Sequence, residues 1–510
     1  MRKTSFVLGV ILLVAIAIRF LYFKESTYFG YDEARDAYIS QAIYQTGDFK
    51  LIGPPANFPG LFHGPLYWYL LGPIYLLGHG SPYFASIVFR LINSLGVLAV
   101  FGIAKKLFNR QVGIISAVIF AFSFEETQYA MFVSNPSLAI FAWMAIFFGL
   151  ALLVRDKNPN GLPLMFAGAV VATQLDFIYL YTFAMIFISL FLFRKNFPHL
   201  SKTTLIKTFL LTILCLSTFI VAELKYSFQS SRALLHLFSS GYHVMQPTDS
   251  PLTLYLRMSL KLFQTNIINL PYVYLIPTIV ILISFLFYQS RKDMSLKIVL
   301  VWMFAGVLLL PLGGYDAMYV NLGIGIGIII AVSYFISLIW NKNRLITLIT
   351  LLAIGFSNLS QIFNNNPKGL IVELKPQPSM QLADEIAIMN KIYTNSSAKE
   401  FTIRVTGIPY GIQTTWAYLL NYYGKTKWGY LPFWEGEMVV GFPGQLPLPQ
   451  KGTTCMRYLI IDPSRGLPLN LIEKDTLEEN HFSKMVKEEK IGEFTLQTRQ
   501  ARDSLCHNPK

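Results

Sequence analysis

Apolar runs recur along the first two thirds of the chain and then stop. They cover 5–23, 86–104, 111–124, 135–154, 162–176, 178–193, 205–222, 271–289, 297–311, 319–339 and 344–361. A straight helix needs about 20 apolar residues to cross a bilayer, so the pattern predicts about 11 membrane helices, some with soft ends. The first run follows Met1-Arg2-Lys3 and has no small-residue cleavage pattern. It reads as a retained span rather than a signal peptide, with Arg19 reaching outward to the interface. Two long stretches interrupt the runs, at 24–85 and 223–270. Within the first, Tyr31, Ala34, Tyr38, Ala42 and Ile43 fall on one helical face, and "PLYWYLLGPIYLL" is short and broken by proline. Both read as interfacial helices, with Tyr67, Trp68, Tyr69 and Tyr75 at headgroup depth.

After residue 361 the pattern changes. Asn364-Asn365-Asn366-Pro367 reads as a linker, and a helix is expected near 379–393. Strand-like runs follow at 401–407, 456–462 and 492–499, with "IQTTWAYLLNYYG" as a helix between the first two. The expected architecture is a polytopic α-helical membrane domain over 1–361 and a small α/β domain over 362–510.

Composition agrees. The chain is 54% hydrophobic and 14% charged, where a soluble chain carries about a quarter charged residues. The net charge of +14 raises nucleic-acid binding, but the basic residues are scattered at the ends of apolar runs and form no patch. Placing the N-terminus in the cytoplasm gathers Arg2, Lys105, Lys106, Arg110, Arg155, Arg194, Arg291 and Lys342 on the inside. The same topology puts Glu25, Asp32, Glu33, Asp36, Asp48, Glu125, Glu126, Glu223, Asp249 and Asp316 outside, leaving Asp156 and Asp293 within. An odd number of spans then puts 362–510 outside the plasma membrane. Cys455 and Cys506 would lie in an oxidising compartment, where a disulfide or two free thiols are both open.

The charged run Asp32-Glu33-Ala34-Arg35-Asp36 opens the first outer helix. Asp32 suits a helix cap, and Glu33 a helix N-terminus. A cap leaves one carboxylate oxygen for chemistry, so a general base at the membrane surface is the competing role. Arg35 can pair with either neighbouring aspartate. Arg90 stands at the mouth of the second span, and Arg257 and Lys261, four residues apart, share a helix face; that pair suits anionic lipid. Tyr315 and Tyr319 suit an interfacial anchor.

The sequence "YDEARDAYISQAIYQTGDF" followed by "HGPLYWYL" resembles the first outer loop of the GT-C membrane glycosyltransferases. It is most similar to the group of aminoarabinose and protein mannosyl transferases. That group carries D-E-x-R-Y-A, a "tGdw" turn and a K/H-P-P-L-Y-Y-W stretch. The matching residues here are Asp32 to Ala37, Thr46-Gly47-Asp48-Phe49 and His63-Gly64-Pro65-Leu66-Tyr67-Trp68-Tyr69. Arg90-Leu91 and "AKKLFNRQVGIISAVIFAFS" extend the similarity, which covers 1–155 and fades to an echo at 313–321.

The resemblance implies a polyprenyl-phosphate sugar donor, an extracytoplasmic site and transfer with inversion to a lipid, protein or glycan acceptor. It assigns Asp32 as general base and Glu33 as an orienting partner or metal ligand. Arg35, Asp36, His63, Tyr67, Arg90, Glu125, Glu126, Arg257, Lys261 and Tyr319 are the expected substrate contacts. Asp36 departs from the group's tyrosine. The acid that relatives carry near the fourth span is replaced by Asn135-Pro136, with Glu125 and Glu126 as substitutes. That leaves a divalent metal open. A transporter or flippase of lipid-linked saccharides is the alternative; it predicts acids at mid-membrane depth and a repeated half, and no repeat is visible. A membrane-anchored binding protein would not require so many spans.

Overall fold

The computed structural model describes residues 2–56, 59–240, 249–312, 317–375, 377, 379–396, 400–435, 454–463, 465 and 467–502. Tyr315, Asp316 and Cys506 lie outside these residues. Cys455 is disulfide-bonded and Cys215 is a free thiol.

Each expected apolar run is helical. The helices are α1 (Arg2–Arg19), α4 (Pro82–Leu107), α5 (Arg110–Phe122), α7 (Asn135–Val154), α8 (Gly161–Leu175), α9 (Tyr181–Phe193), α10 (Lys202–Lys225), α13 (Tyr272–Ser290), α14 (Met294–Met303), α15 (Ile324–Trp340) and α16 (Arg344–Asn365). Seven helical stretches among the described residues are long and apolar enough to cross a membrane; α1, α5, α8 and α15 are shorter apolar helices. The 297–311 run is divided, with α14 passing into a 3-10 turn at Ala305–Leu312 that contains Pro311. The first outer loop holds α2 (Tyr31–Thr46) and α3 (Leu66–Leu77), a short helix α6 (Phe124–Met131) caps the α5–α7 turn, and the second outer loop holds α11 (Gln229–Ser240) and α12 (Pro251–Asn266).

Two arginines are placed differently from expectation. Arg19 does not reach outward; it is buried, and its Nε donates to Asn93 Oδ1 at 2.6 Å while Nη1 and Nη2 donate to the Ala121 and Phe120 carbonyls. Asn93 in turn donates to Glu126 Oε2 at 2.9 Å. Arg90 is fully buried rather than at a mouth, donating to Ser86, to Ser26 Oγ at 3.0 Å and to the Arg19 carbonyl. A charge inside a helical bundle needs such partners, because no water replaces them. The result is a polar pin that fixes where α1 ends and the first outer loop begins. Of the aromatic residues expected at headgroup depth, Tyr67, Trp68 and Tyr75 are buried against protein, while Tyr69 is partly exposed.

Beyond α16 come α17 (Leu382–Asn395), β1 (Thr402–Thr406), α18 (Thr414–Leu419), α19 (Lys425–Trp428), β2 (Phe433–Trp434), β3 (Met456–Ile461), α20 (Leu469–Phe482), β4 (Ser483–Ile491) and β5 (Phe494–Ala501). The strands form one sheet in the order β2-β1-β3-β5-β4. β1 runs parallel to β2 and β3; β5 is antiparallel to β3 and β4. Arg457 anchors α20 to this sheet through a two-pronged bond to Glu479, at 2.6 and 2.8 Å.

The sheet region is joined to the first outer loop by backbone. Phe29 N–H donates to the Met380 carbonyl and Leu382 N–H to the Thr27 carbonyl, both at 2.9 Å, around an antiparallel bridge between Tyr28 and Gln381. The segment between α16 and α17 is therefore held directly over the start of α2. Arg90→Leu is expected to lower the unfolding free energy by about 3 kcal/mol, because it leaves buried acceptors without a donor. Denaturant titration in micelles checks this; unchanged stability would return Arg90 to a ligand-facing role.

Candidate active site

Gly30, in extended conformation, caps α2, and Glu33 reaches back to accept the Gly30 N–H at 3.1 Å. Asp32 is thus the second helical residue and not the cap. Its carboxylate, 40% exposed, lies between two cations: Arg35 Nη1 at 2.9 Å from Oδ1 and Lys375 Nζ at 2.6 Å from Oδ2. Burial works against its charge, but Lys375 and Arg35 outweigh it and hold the carboxyl well below the usual range. Arg35 also bonds Asp36 at 2.9 Å, and Trp68 Nε1 donates to the same Asp36 oxygen at 2.8 Å. Asp36 is buried, which raises its pKa despite Arg35. It anchors the arginine and the aromatic helix α3 to α2.

Lys375 is the residue sequence reasoning missed. It comes from the segment after α16, 343 positions from its partner. Neighbours fix that segment: Ile371 N–H donates to Gln128 Oε1 at 2.9 Å, Met318 N–H to the Glu373 carbonyl at 2.7 Å, and Lys261 pairs with Glu373 at 2.8 Å. The ammonium also lies 5.7 Å from the ring centres of Tyr28 and Phe132. Burial alone would lower its pKa, yet Asp32 and Glu33 push it well above the ordinary lysine value. The only sequence signal was a lone lysine before proline in "LKPQP".

The remaining expected contacts are dispersed. His63 Nδ1 accepts the Phe177 N–H at 2.9 Å and sits 3.3 Å from Asp176, tying the first outer loop to the end of α8. Tyr67 donates to the Val133 carbonyl at 2.9 Å. Glu125 and Glu126 are buried rather than solvated; Glu125 accepts from Thr265 and Asn266 on α12, and Glu126 from Asn93. Arg257 pairs with Asp249 at 2.8 Å, and the Tyr319 carbonyl accepts from Tyr179. Lys261 is linked to the centre through Glu373. Among the described residues, no three His, Cys, Asp or Glu side chains gather as a metal-ligand set. Each oxygen of Asp32 is paired with a cationic side chain.

No family model matches the chain, and no curated protein sequence matches it. Among solved structures it is similar to ArnT from Cupriavidus metallidurans bound to undecaprenyl phosphate. The TM-score is 0.60 at 12% identity, over 98% of this chain and 99% of that one. ArnT from the same organism in the apo state gives 0.60 at 11% identity, over 100% of both chains. The likeness shows that this chain and ArnT share one fold along their whole lengths.

Glu33 gives a pH test of this geometry. Its Oε1 is buried without a hydrogen-bond partner, and burial, with Asp32 adding to it against Lys375, pushes the carboxyl from 4.5 up to about 7. Between those values the folded state holds a proton that the unfolded chain has released. Its contribution is full below about pH 4.5 and is lost as pH rises through 7. Glu33→Gln is expected to flatten the fall of the melting temperature between pH 5 and 8. A decline as steep as that of the wild type would place the titrating group elsewhere.

Proposed function

We propose that the protein is an integral-membrane glycosyltransferase that moves a sugar from a polyprenyl-phosphate donor to an extracytoplasmic acceptor, with inversion. The observation that carries this reading is the Lys375–Asp32–Arg35 arrangement. A partly exposed carboxylate stands between two cations where the first outer loop meets the helical bundle. The fold shared with ArnT, whose structure binds undecaprenyl phosphate, supports the donor class.

The chemistry follows from charge. A phosphate-linked sugar carries its own leaving group, so one base for the acceptor hydroxyl suffices. Asp32 is that base, Arg35 and Asp36 hold it in place, and Glu33 closes the helix end. Two cations make Asp32 a weak base before substrate arrives. The donor phosphate competes for the Lys375 ammonium, and as Lys375 turns to it the basicity of Asp32 rises. Lys375 then stabilises the charge that develops on the departing phosphate. The arrangement keeps the base quiet until the donor is present.

In this reading 1–361 form the membrane domain, with the N-terminus cytoplasmic, and 362–510 lie outside the plasma membrane. A phosphatase reporter fused after Lys510 is expected to be active; activity confined to cytoplasmic reporters would invert the topology.

Purified protein with a polyprenyl-phosphate sugar tests the chemistry. Asp32→Asn is expected to lower kcat by about 10²–10⁴-fold. Retained turnover would remove Asp32 as base, and lipid flipping without product would favour a flippase. Lys375→Met is expected to raise the donor KM and to move the acid limb of the pH–rate profile upward, because Asp32 loses its nearest cation. An unshifted limb would separate Lys375 from the base.

A further inference from the structure

We infer that the protein binds a neutral oligosaccharide in a second cleft, between the far face of α2 and the helical turn joining α18 to α19. The cleft has a volume of about 760 Å³, and its lining includes Tyr38, Gln41, Gln45, His79, Tyr422 and Lys427. Tyr38, Gln41 and Gln45 are three and four residues apart and share one face of α2. Asp32 and Asp36 lie roughly 150–170° away from the centre of that face around the same helix. The cleft therefore opens away from the reacting carboxylate while sharing a rigid element with it.

Its opposite wall is built on an unusual backbone. Leu420–Gly424 forms a π-helical turn, a conformation rare in general and frequent at functional sites. Tyr418, just before it, packs nearly parallel to Tyr422, with ring centres 6.1 Å apart and planes inclined at 25°. The floor is the α3–α4 turn, where His79 and Gly80 both have positive φ, 50° and 82°. A left-handed histidine is strained and persists only where its surroundings impose it. Here the Gly80 carbonyl accepts the Tyr418 hydroxyl at 2.7 Å, and Gln41 donates to that hydroxyl at 3.0 Å. A Cβ on Gly80 would meet the Tyr422 ring at 3.1 Å. Three separate elements are thereby locked around one concavity.

The lining identifies the ligand class. Tyrosine faces suit the apolar C–H face of a pyranose, and amides exchange hydrogen bonds with its hydroxyls. The lining residues include no carboxylate, so the cleft offers a hard cation no anionic ligand. The single ammonium, Lys427, is held near Asn390 Oδ1 at 2.6 Å and over the Trp428 ring, which is no phosphate cradle. The amides and hydroxyls do not suit an acyl chain. The volume falls within the roughly 300–1,000 Å³ of small-ligand sites. For the identity of the sugar as the glycan portion of the acceptor, the inference rests on the transferase reading; for the cleft itself it does not.

Saturation-transfer NMR on the full chain, in a detergent without a sugar headgroup, tests the cleft with mannotriose, chitotriose and maltotriose as probes. At least one trisaccharide is expected to receive saturation, and Asp32→Asn to leave it unchanged. Gln45→Ala, an exposed substitution that leaves the fold intact, is expected to weaken binding at least fivefold, and Tyr422→Ala to abolish it. No saturation of any probe, or saturation in both cleft variants equal to that of the wild type, overturns the inference. Binding in a protein that transfers no sugar supports the cleft and removes the transferase reading. Transfer without trisaccharide binding does the reverse.

Discussion

The contact between Asp32 and Lys375 is the constraint on which the outer face of the molecule depends. A partly exposed carboxylate and a largely buried ammonium lie 2.6 Å apart, and the ammonium is expensive to leave alone. Their pairing requires the segment after α16 to lie over the first turn of α2. The backbone bridge between Tyr28 and Gln381 holds the two strands of chain at that distance. The ion pair and the bridge thus form one joint, and the sheet region hangs from it.

Beneath the joint, the helical bundle carries a second set of fixed polar contacts. Arg19, Asn93 and Glu126 form a chain of hydrogen bonds, and Arg90 secures the carbonyl of Arg19 and the hydroxyl of Ser26. In a region with little water these partners have no substitutes. They set the level at which the chain leaves α1, and hence the height at which α2 starts. The position of the first turn of α2 thus depends on buried arginines.

Much of this was legible in the sequence, for physical reasons that differ between elements. The apolar runs and the strands β1, β3 and β5 follow hydrophobic periodicity, a local property, and they were found with small boundary errors. β4 was missed because "SKMVKEEKI" is a charged edge strand, and charge on an edge hides its strand character. The first outer loop was readable because its charged run and turn motifs are contiguous. Lys375 was not, since its partner is far away in the chain and a single lysine carries no pattern. Arg19 and Arg90 were misplaced by the same logic: a basic residue near a span end ordinarily reaches water, and only the neighbouring Asn93, Ser86 and Ser26 show otherwise. Glu125 and Glu126 look like solvated loop acids until α12 packs over them.

The bridge between Tyr28 and Gln381 also has a meaning in time. The first strand of it leaves the ribosome early, while its partner emerges only after every apolar helix has been made. Until the late segment arrives, Asp32 has Arg35 beside it but no ammonium above it. A chain stalled during synthesis, or threaded through the bilayer with one helix reversed, delivers Lys375 late or to the wrong side. The joint is therefore completed only after the apolar helices have been made, and an incompletely assembled copy leaves Asp32 without its second cation.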